Sequence, residues 1–448
     1  MNDAAARPRI AVVGAGIAGL SAAWLLRDVA EVTLFEGAGR AGGHADTQML
    51  RIDGREVAVD TGFIVYNGRN YPNLTGLFAA LGVATRASDM SFGVSIGSAS
   101  GGRGAMEYGG GSLWQMFAQR RNLLRPRFWR MIRDILRFYR EAPGLLDGGG
   151  EETLGAWLDR RRFGAGFVED HILPMGAAIW SASATGMRAF PLRHFIRFFH
   201  NHGLLSLTDR PEWRTVVGGS RSYVARILDD LPAVRLGCAV RAVRRGAVPG
   251  QVTLTLADGK TATFEQVVLA CHADQALALL ERPSAAERAV LGAITCQDNI
   301  AVLHSDVALM PRRRGVWSAW NYLADRAGDP AAAVSVTYWM NRLQGMATSA
   351  PLLVTLNPRR APDPALVHLT RRYRHPQFDA AALAAQARLP AIQGSQGVWF
   401  AGAWTGWGFH EDGIASAVRV AAALGADIPW APGSAAGSAR LAELGVAA

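Results

Sequence analysis

Ile10-Ala-Val-Val-Gly14-Ala-Gly16-Ile-Ala-Gly19-Leu20 decides how this 448-residue chain is read. The first four residues are apolar and mostly β-branched, the composition of a short buried strand. Glycines then break the strand, and the uncharged run on to Leu26 has the length and composition of a helix. A second strand-like run, Val32-Thr-Leu-Phe35, ends on Glu36, roughly 20 residues beyond the first glycine. Glycines between a strand and a helix let a pyrophosphate approach backbone N–H groups at the helix N-terminus. An acid at the end of the next strand holds the ribose hydroxyls. A lone GxGxxG says little. With its strand, helix and acid it predicts a dinucleotide site made by Gly14, Gly16, Ile17, Ala18, Gly19, Glu36 and Gly37. The same uncharged run, Ile10 to Leu26, would satisfy a hydropathy search for a membrane span or signal peptide. Its three glycines and the strand-then-helix pattern argue against both, and no cleavage signal is visible.

The rest of the composition sets outer bounds. Half the residues are hydrophobic and 19% are charged, enough apolar surface for two domains with real cores. Only the segment after Pro429, rich in Ala, Gly and Ser, reads as a flexible tail, assigned to 431–448. The formal charge is +10 and Lys260 is the one lysine, so arginine carries the positive charge. A basic balance suits an anionic partner such as a phospholipid surface, and suits solubility equally. The arginines follow no nucleic-acid-binding motif, so no nucleic acid is expected as a partner. Cys238, Cys271 and Cys296 are scattered and odd in number, without a CxxC or His-rich cluster. They predict core thiols in a reducing compartment and no metal site.

Further glycine turns follow. Gly39-Arg40-Ala-Gly42-Gly43-His44 comes after the second strand, and Val57-Ala-Val-Asp60-Thr61-Gly62-Phe63 reads as a strand entering a tight turn. Late in the chain, the strand Val398–Ala401 leads through Gly402-Ala-Trp-Thr-Gly-Trp-Gly-Phe-His410-Glu411-Asp412-Gly413 to a helix expected over Ile414–Leu424. With these segments the chain resembles the amine-oxidase-like superfamily of FAD enzymes. The resemblance implies an α/β fold: a discontinuous Rossmann-like FAD-binding domain with an α+β substrate domain, as in amine oxidases and glutathione-reductase-2-like proteins. It implies that Arg40, Gly42, Gly43 and His44 continue the pyrophosphate site, with His44 where the family usually has arginine. A histidyl-flavin bond there is the sharper reading, and a hydrogen-bonding histidine beside the cofactor the plainer one. Thr61, Gly62 and Phe63 bring backbone to the flavin ring, and Val240 meets adenine through its backbone. Gly402, Asp412, Gly413 and Ile414 set a helix N-terminus near the flavin pyrimidine, where reduced flavin carries negative charge.

The FAD domain is accordingly assigned to 1–65, 212–275 and 395–430. Its middle piece holds a hairpin, Gln251–Leu256 and Thr261–Phe264, around Asp258-Gly259. The substrate domain takes 66–211 and 276–394, with helices and a mixed sheet. Within it, residues 127–140 fit a basic amphipathic helix. Arg127, Arg130, Arg133, Arg137 and Arg140 share one arc of the wheel, and Trp129, Phe138 and other apolar residues fill the other. Such a helix is interfacial at a membrane, or it is a packed surface helix with solvated arginines. The run Phe190–Phe199 points the same way or toward a greasy tunnel.

Amine oxidases of the superfamily use a lysine beside the flavin, and Lys260, after a hairpin turn, is badly placed for that. Gly62-Phe-Ile-Val-Tyr66-Asn67, Thr337-Tyr338-Trp-Met-Asn341-Arg-Leu-Gln344 and the late glycine-rich segment together are similar to a bacterial subfamily. These are flavoproteins associated with cyclopropane-fatty-acyl-phospholipid synthase-like methyltransferases, including the methylated fatty acid desaturase of furan fatty acid biosynthesis. The resemblance implies desaturation of a methylated unsaturated acyl chain of a membrane phospholipid, with hydride passing to flavin N5. It implies a cytoplasmic protein peripheral to the anionic inner membrane, with a lipid methyltransferase as partner. His410, Glu411 and Tyr338 are then the candidate catalytic residues, with Asn341 and Tyr66 as further candidates for the slot. An amine, protoporphyrinogen or carotenoid oxidase, or a non-catalytic flavoprotein partner of the methyltransferase, stay open as alternatives.

Overall fold

A computed structural model describes residues 7–97, 106–146, 152–206, 210–248, 250–325, 329, 331 and 334–431. Five parallel strands form the sheet that carries the first glycine turn. Across the sheet they run Val234–Arg235, Glu31–Phe35, Arg9–Val13, Gln266–Leu269, Val398–Phe400. A parallel sheet must be covered on both faces, which is why its central strands read as unbroken apolar runs. One face is covered by the helix Ile17–Leu26, all ten of whose residues are buried, and by the helix His410–Ala423. The helix Pro72–Ala80 joins the same core through Leu74, Leu77 and Phe78. The other face is covered by the helices Ala273–Leu279, Ala285–Leu291 and Ala380–Arg388. The parallel-sheet unit therefore takes in stretches assigned from sequence to 66–211 and 276–394. The physical reason is the second face, which Val290, Leu291, Ala382 and Ala385 help to cover. The hairpin Val252–Leu256 and Thr261–Phe264 turns at Gly259, whose φ is +82°, and pairs further with Val240–Arg245.

The second sheet has seven strands, ordered Val367–Pro376, Cys296–His304, Leu353–Leu356, Ser335–Trp339, Trp320–Asp325, Phe92–Gly97, Met106–Gly109. Every pairing is antiparallel except Trp320–Asp325 with Phe92–Gly97. Helices between 113 and 201 pack on it around an aromatic core that includes Phe128, Phe138, Phe167, Phe195 and Phe199. The expected basic helix is there, from Pro126 to Glu141. Its apolar face is not free for a membrane: Phe128, Met131, Ile135 and Phe138 are buried in that core. Arg127 reaches Asp170 at 2.6 Å and Glu169 at 2.8 Å, and the Arg137 guanidinium lies 4.5 Å over the Phe163 ring. The wheel pattern was real, but the aromatic residues of 154–199 supply the apolar partner inside the protein. Among the described residues no helix is long and apolar enough to cross a membrane. The expected flexible tail, 431–448, lies outside the described residues beyond Ala431.

Candidate flavin and substrate site

The strand Arg9–Val13 ends at Gly14, whose φ of +104° turns the chain with no side chain to obstruct it. A Cβ there would stand 2.8 Å from the Ala270 carbonyl oxygen. Gly16 is the N-cap of the helix Ile17–Leu26, and no side chain caps that helix. Its first N–H groups, from Ile17, Ala18 and Gly19, are thus offered outward, and nothing stands within 4 Å of a Cβ at Gly16. This is an anion cradle by construction. Glu36 braces it, accepting the Ala15 N–H at 2.7 Å and the Ala38 N–H at 2.8 Å, and Gly37 packs close to Ala239. The Gly42 N–H donates to the Ala15 carbonyl at 2.7 Å, and Gly43 comes so near Gly16 that a Cβ would lie 3.0 Å from its Cα. Arg40 donates to the Gly43 carbonyl at 2.9 Å and pairs with Asp46 at 3.2 Å, so it holds this second turn in place.

The Asp60-Thr61-Gly62-Phe63 turn lies directly on His44. The Phe63 N–H donates to the His44 carbonyl at 2.8 Å, and Gly62 approaches that carbonyl too closely for any side chain. Thr61 Oγ1 bonds Tyr373 Oη at 2.7 Å. Asp60, unassigned from sequence, is buried and accepts from Thr47, Ser220 and Gln344. Burial raises its pKa to about 6, against the pull of those donors. Val240 opens the strand Val240–Arg245 two residues after Cys238, whose N–H donates to the Glu36 carbonyl at 2.8 Å, and just before a bulge between Val240 and Ala242 that leaves Arg241 out of register.

His44 is half-buried, with its ring stacked 4.9 Å from Tyr373 and tilted against His375 at 5.4 Å. Its Nε2 has no hydrogen-bond partner in the protein. Burial first, and then the neighbouring His375, His272 and His410, lower its pKa well below the usual histidine value. The cradle a Cβ would fill, the uncapped helix and the orphaned imidazole nitrogen are what a dinucleotide with a flavin ring requires. The residues present fit FAD.

The late turn gives a different account of the candidate catalytic residues. The helix begins at His410, about one turn before the expected Ile414, because Asp412 reaches back to accept the Phe409 N–H at 2.9 Å. Burial raises the Asp412 pKa to about 6. Gly402 sits at a φ of +158° and donates its N–H to Ser416 Oγ. Gly413 meets Ile17, so the two helices touch where a Cβ would lie 2.8 Å from Ile17 Cγ2, and Ile414 is fully buried behind it. His410 is stacked 3.8 Å from the Phe63 ring and its Nε2 is 3.0 Å from Tyr223 Oη. Burial lowers its pKa to about 3. Glu411 accepts from Asn73 N at 3.0 Å, Asn73 Nδ2 at 2.6 Å and Leu74 N at 3.0 Å, the free N–H groups that open the helix Pro72–Ala80. The geometry gives Glu411 a capping role at the helix Pro72–Ala80 and His410 a place in the packing against Phe63 and Tyr223.

Tyr338 lies on the strand Ser335–Trp339, its ring edge-on to Trp320 at 4.8 Å, and burial raises its pKa above the usual phenol range. Asn341 is tied to Thr348 and Leu352, and Tyr66 packs among Tyr71 and Phe78. Lys260 pairs with Asp258 at 2.9 Å on the exposed hairpin turn. Sequence reasoning missed the wall that Trp407 and Phe409 build from the glycine turn: Phe198 lies 6.2 Å and 5.2 Å from them. The aromatic run Phe190–Phe199 was its only signal. Burial lowers His202, stacked on Phe198, to about 4, and lowers His194 beside Trp407.

Comparison with known proteins agrees with this architecture. Residues 17–295 match the family described as flavin containing amine oxidoreductase. No curated protein sequence matches the chain. Among solved structures, a cofactor-binding variant of putrescine oxidase is 15% identical, covering 94% of this chain and 99% of its own, with a TM-score of 0.65. Cyclohexylamine oxidase from Brevibacterium oxydans IH-35A is 14% identical over 93% of this chain and 98% of its own, TM-score 0.66. A CLA-producing fatty acid isomerase from P. acnes is 13% identical over 93% and 99%, TM-score 0.65. At these identities the structures show the shared fold alone. The match to the family spans more than half of the chain, and FAD is the cofactor consistent with it: the chain belongs to the flavin-containing amine oxidoreductases.

Proposed function

We propose that this FAD-dependent oxidoreductase desaturates an apolar acyl chain, namely a methylated unsaturated chain of a membrane phospholipid. The observation that carries the reading is the wall of Trp407, Phe409 and Phe198, with neutral histidines and the half-buried Tyr338 and Trp320 in the same core. Such a wall favours a hydrocarbon over a strongly hydrated group. Bound FAD supplies the two-electron acceptor. Ile17–Gly19 and Glu36 would hold its phosphates and ribose, and the N-terminus of the helix His410–Ala423 would offer a positive dipole end to an electron-rich ring. The proton lost from carbon needs a base. His44, half-buried and with an Nε2 that bonds no protein group, is the group we assign to accept it; its lowered pKa makes it a weak base that must pass the proton on. A lipid methyltransferase that makes the branched chain, and the cytoplasmic face of the inner membrane, belong to the same proposal.

A second reading, amine oxidation, is favoured by one feature: an aromatic wall also holds cations over its ring faces. Against it, the lone lysine is on an exposed hairpin. Anaerobic titration of the purified flavoprotein separates the two. Methylated unsaturated phospholipid in detergent, putrescine and an aromatic amine are added to separate cuvettes while the visible flavin band is followed. Bleaching by lipid is expected. Bleaching by amines alone overturns the lipid reading, and bleaching by neither, with lipid methyltransferase activity rising on mixing, would make the protein a non-catalytic partner.

A further inference from the structure

We propose that the corner made by the short helix Leu113–Met116 and the turn Arg120–Leu124 docks on a lipid bilayer with acidic headgroups. Single exposed apolar residues are ordinary on a protein surface. Here Leu113 is 78% exposed, Trp114 89% and Leu124 86%, with Leu123 and Trp129 each at 47%. They form one feature. Trp129 Nε1 donates to the Leu123 carbonyl at 2.8 Å, and the Trp129 ring lies 5.6 Å from Phe117 on the same corner. The inner side of the corner, Met116 and Phe117, packs on the core that holds Trp320 and Tyr338.

Charge selects the occupant. From Tyr108 through Arg133 the chain has no acidic residue and six arginines, of which Arg127 is paired with Glu169 and Asp170. The acids that flank this stretch, Glu107 and Asp134, are buried and hydrogen-bonded within the protein. A second basic turn, the exposed Arg312, Arg313 and Arg314, stands alongside: Gln115 Nε2 donates to the Trp317 carbonyl at 3.3 Å, and Gly315 faces Ala118. Exposed Trp and Leu set among arginines is the composition that settles at an acidic bilayer surface, with apolar side chains in the headgroup boundary and guanidiniums on phosphates. A second copy of the chain would bring the same arginines to a two-fold contact and oppose like charges. The inference goes beyond the substrate proposal and stands without it: exposure and charge carry it, whatever the flavin oxidises. It also moves the membrane contact from the helix Pro126–Glu141, whose apolar face is internal, to the corner before it.

The test is co-sedimentation of the FAD-loaded protein with vesicles of phosphatidylcholine alone and of phosphatidylcholine with phosphatidylglycerol. Binding to the acidic vesicles is expected, weakened by about 0.5 M salt. Trp114→Ser combined with Leu124→Ser should lower the vesicle affinity about tenfold or more, with the flavin spectrum and melting temperature unchanged. Equal binding of this variant and the parent, or no binding of the parent to acidic vesicles, overturns the proposal. A parent dimer that the double substitution converts to monomer also overturns it and makes the corner a self-interface. Failure here leaves the detergent-based flavin titration untouched, so the two proposals fall separately.

Discussion

A neutral imidazole stacked on Phe63 and bonded to the buried Tyr223 hydroxyl has little room to accept a proton. His410→Ala should therefore lower stability by about 2–4 kcal/mol, the loss of a buried ring and its hydrogen bond, measured by denaturant unfolding. The folded fraction should keep its rate of flavin reduction within a few-fold. His44→Ala should do the reverse: a smaller loss of stability, since its Nε2 bonds no protein group, and flavin reduction by substrate slowed by about two orders of magnitude. Equal losses in both variants would return His410 to the chemistry. At this scale the sequence was legible where the contacts are local. Gly14 to Gly19 and Glu36 announce themselves because turn geometry and helix start are set by neighbours in the chain. The partner of His410 lies 187 residues away and those of Glu411 lie more than 330 away, so no spacing in the late segment could reveal that both are engaged.

The helix His410–Ala423 is held at its start by Asp412 and joined to the helix Ile17–Leu26 through Gly413. Asp412→Ala should cost about 0.5–2 kcal/mol by leaving the Phe409 N–H without its acceptor and should loosen FAD binding, read by flavin retention on gel filtration. Gly413→Ala acts on the helix contact instead. Its methyl meets Ile17 Cγ2 at 2.8 Å, so the two helices must part, and FAD affinity should fall with little loss of helix content by circular dichroism. The strands and this helix were legible as elements, from apolar runs ended by glycine. The N-terminal boundary was not, because an aromatic N-cap, Phe409, gives no sequence signal. The amphipathic helix shows the opposite limit. Its periodicity was visible in the sequence, but whether the apolar face meets lipid or protein depends on helices contributed by later residues.

For the molecule as a whole, burial of histidine dominates the response to pH. His171, His202, His304 and His375 are lowered by burial to about 4 and His410 to about 3. In the unfolded chain these five accept protons below pH 6.5 or so, and in the folded chain they do not until much lower pH. The unfolded state therefore gains protons as pH falls from about 6.5 toward 4, and stability declines. Asp60 and Asp412, raised to about 6, act oppositely, holding protons in the folded state that the unfolded chain releases above its ordinary carboxylate value. Five groups outnumber two, so the melting temperature should be lower near pH 5 than near pH 7. A flat or rising profile would mean that the histidines titrate freely in the folded protein. The order of strands in the parallel sheet has a further consequence, for biosynthesis. Strands from both ends of the described chain, Arg9–Val13 and Val398–Phe400, lie on either side of Gln266–Leu269, and the helix that closes the cradle runs to Ala423. A ribosome must therefore release nearly all of these residues before the cofactor can be gripped. A nascent chain stopped before Val398 should emerge with its cradle unroofed and capture no FAD, however much of the seven-stranded sheet has already formed.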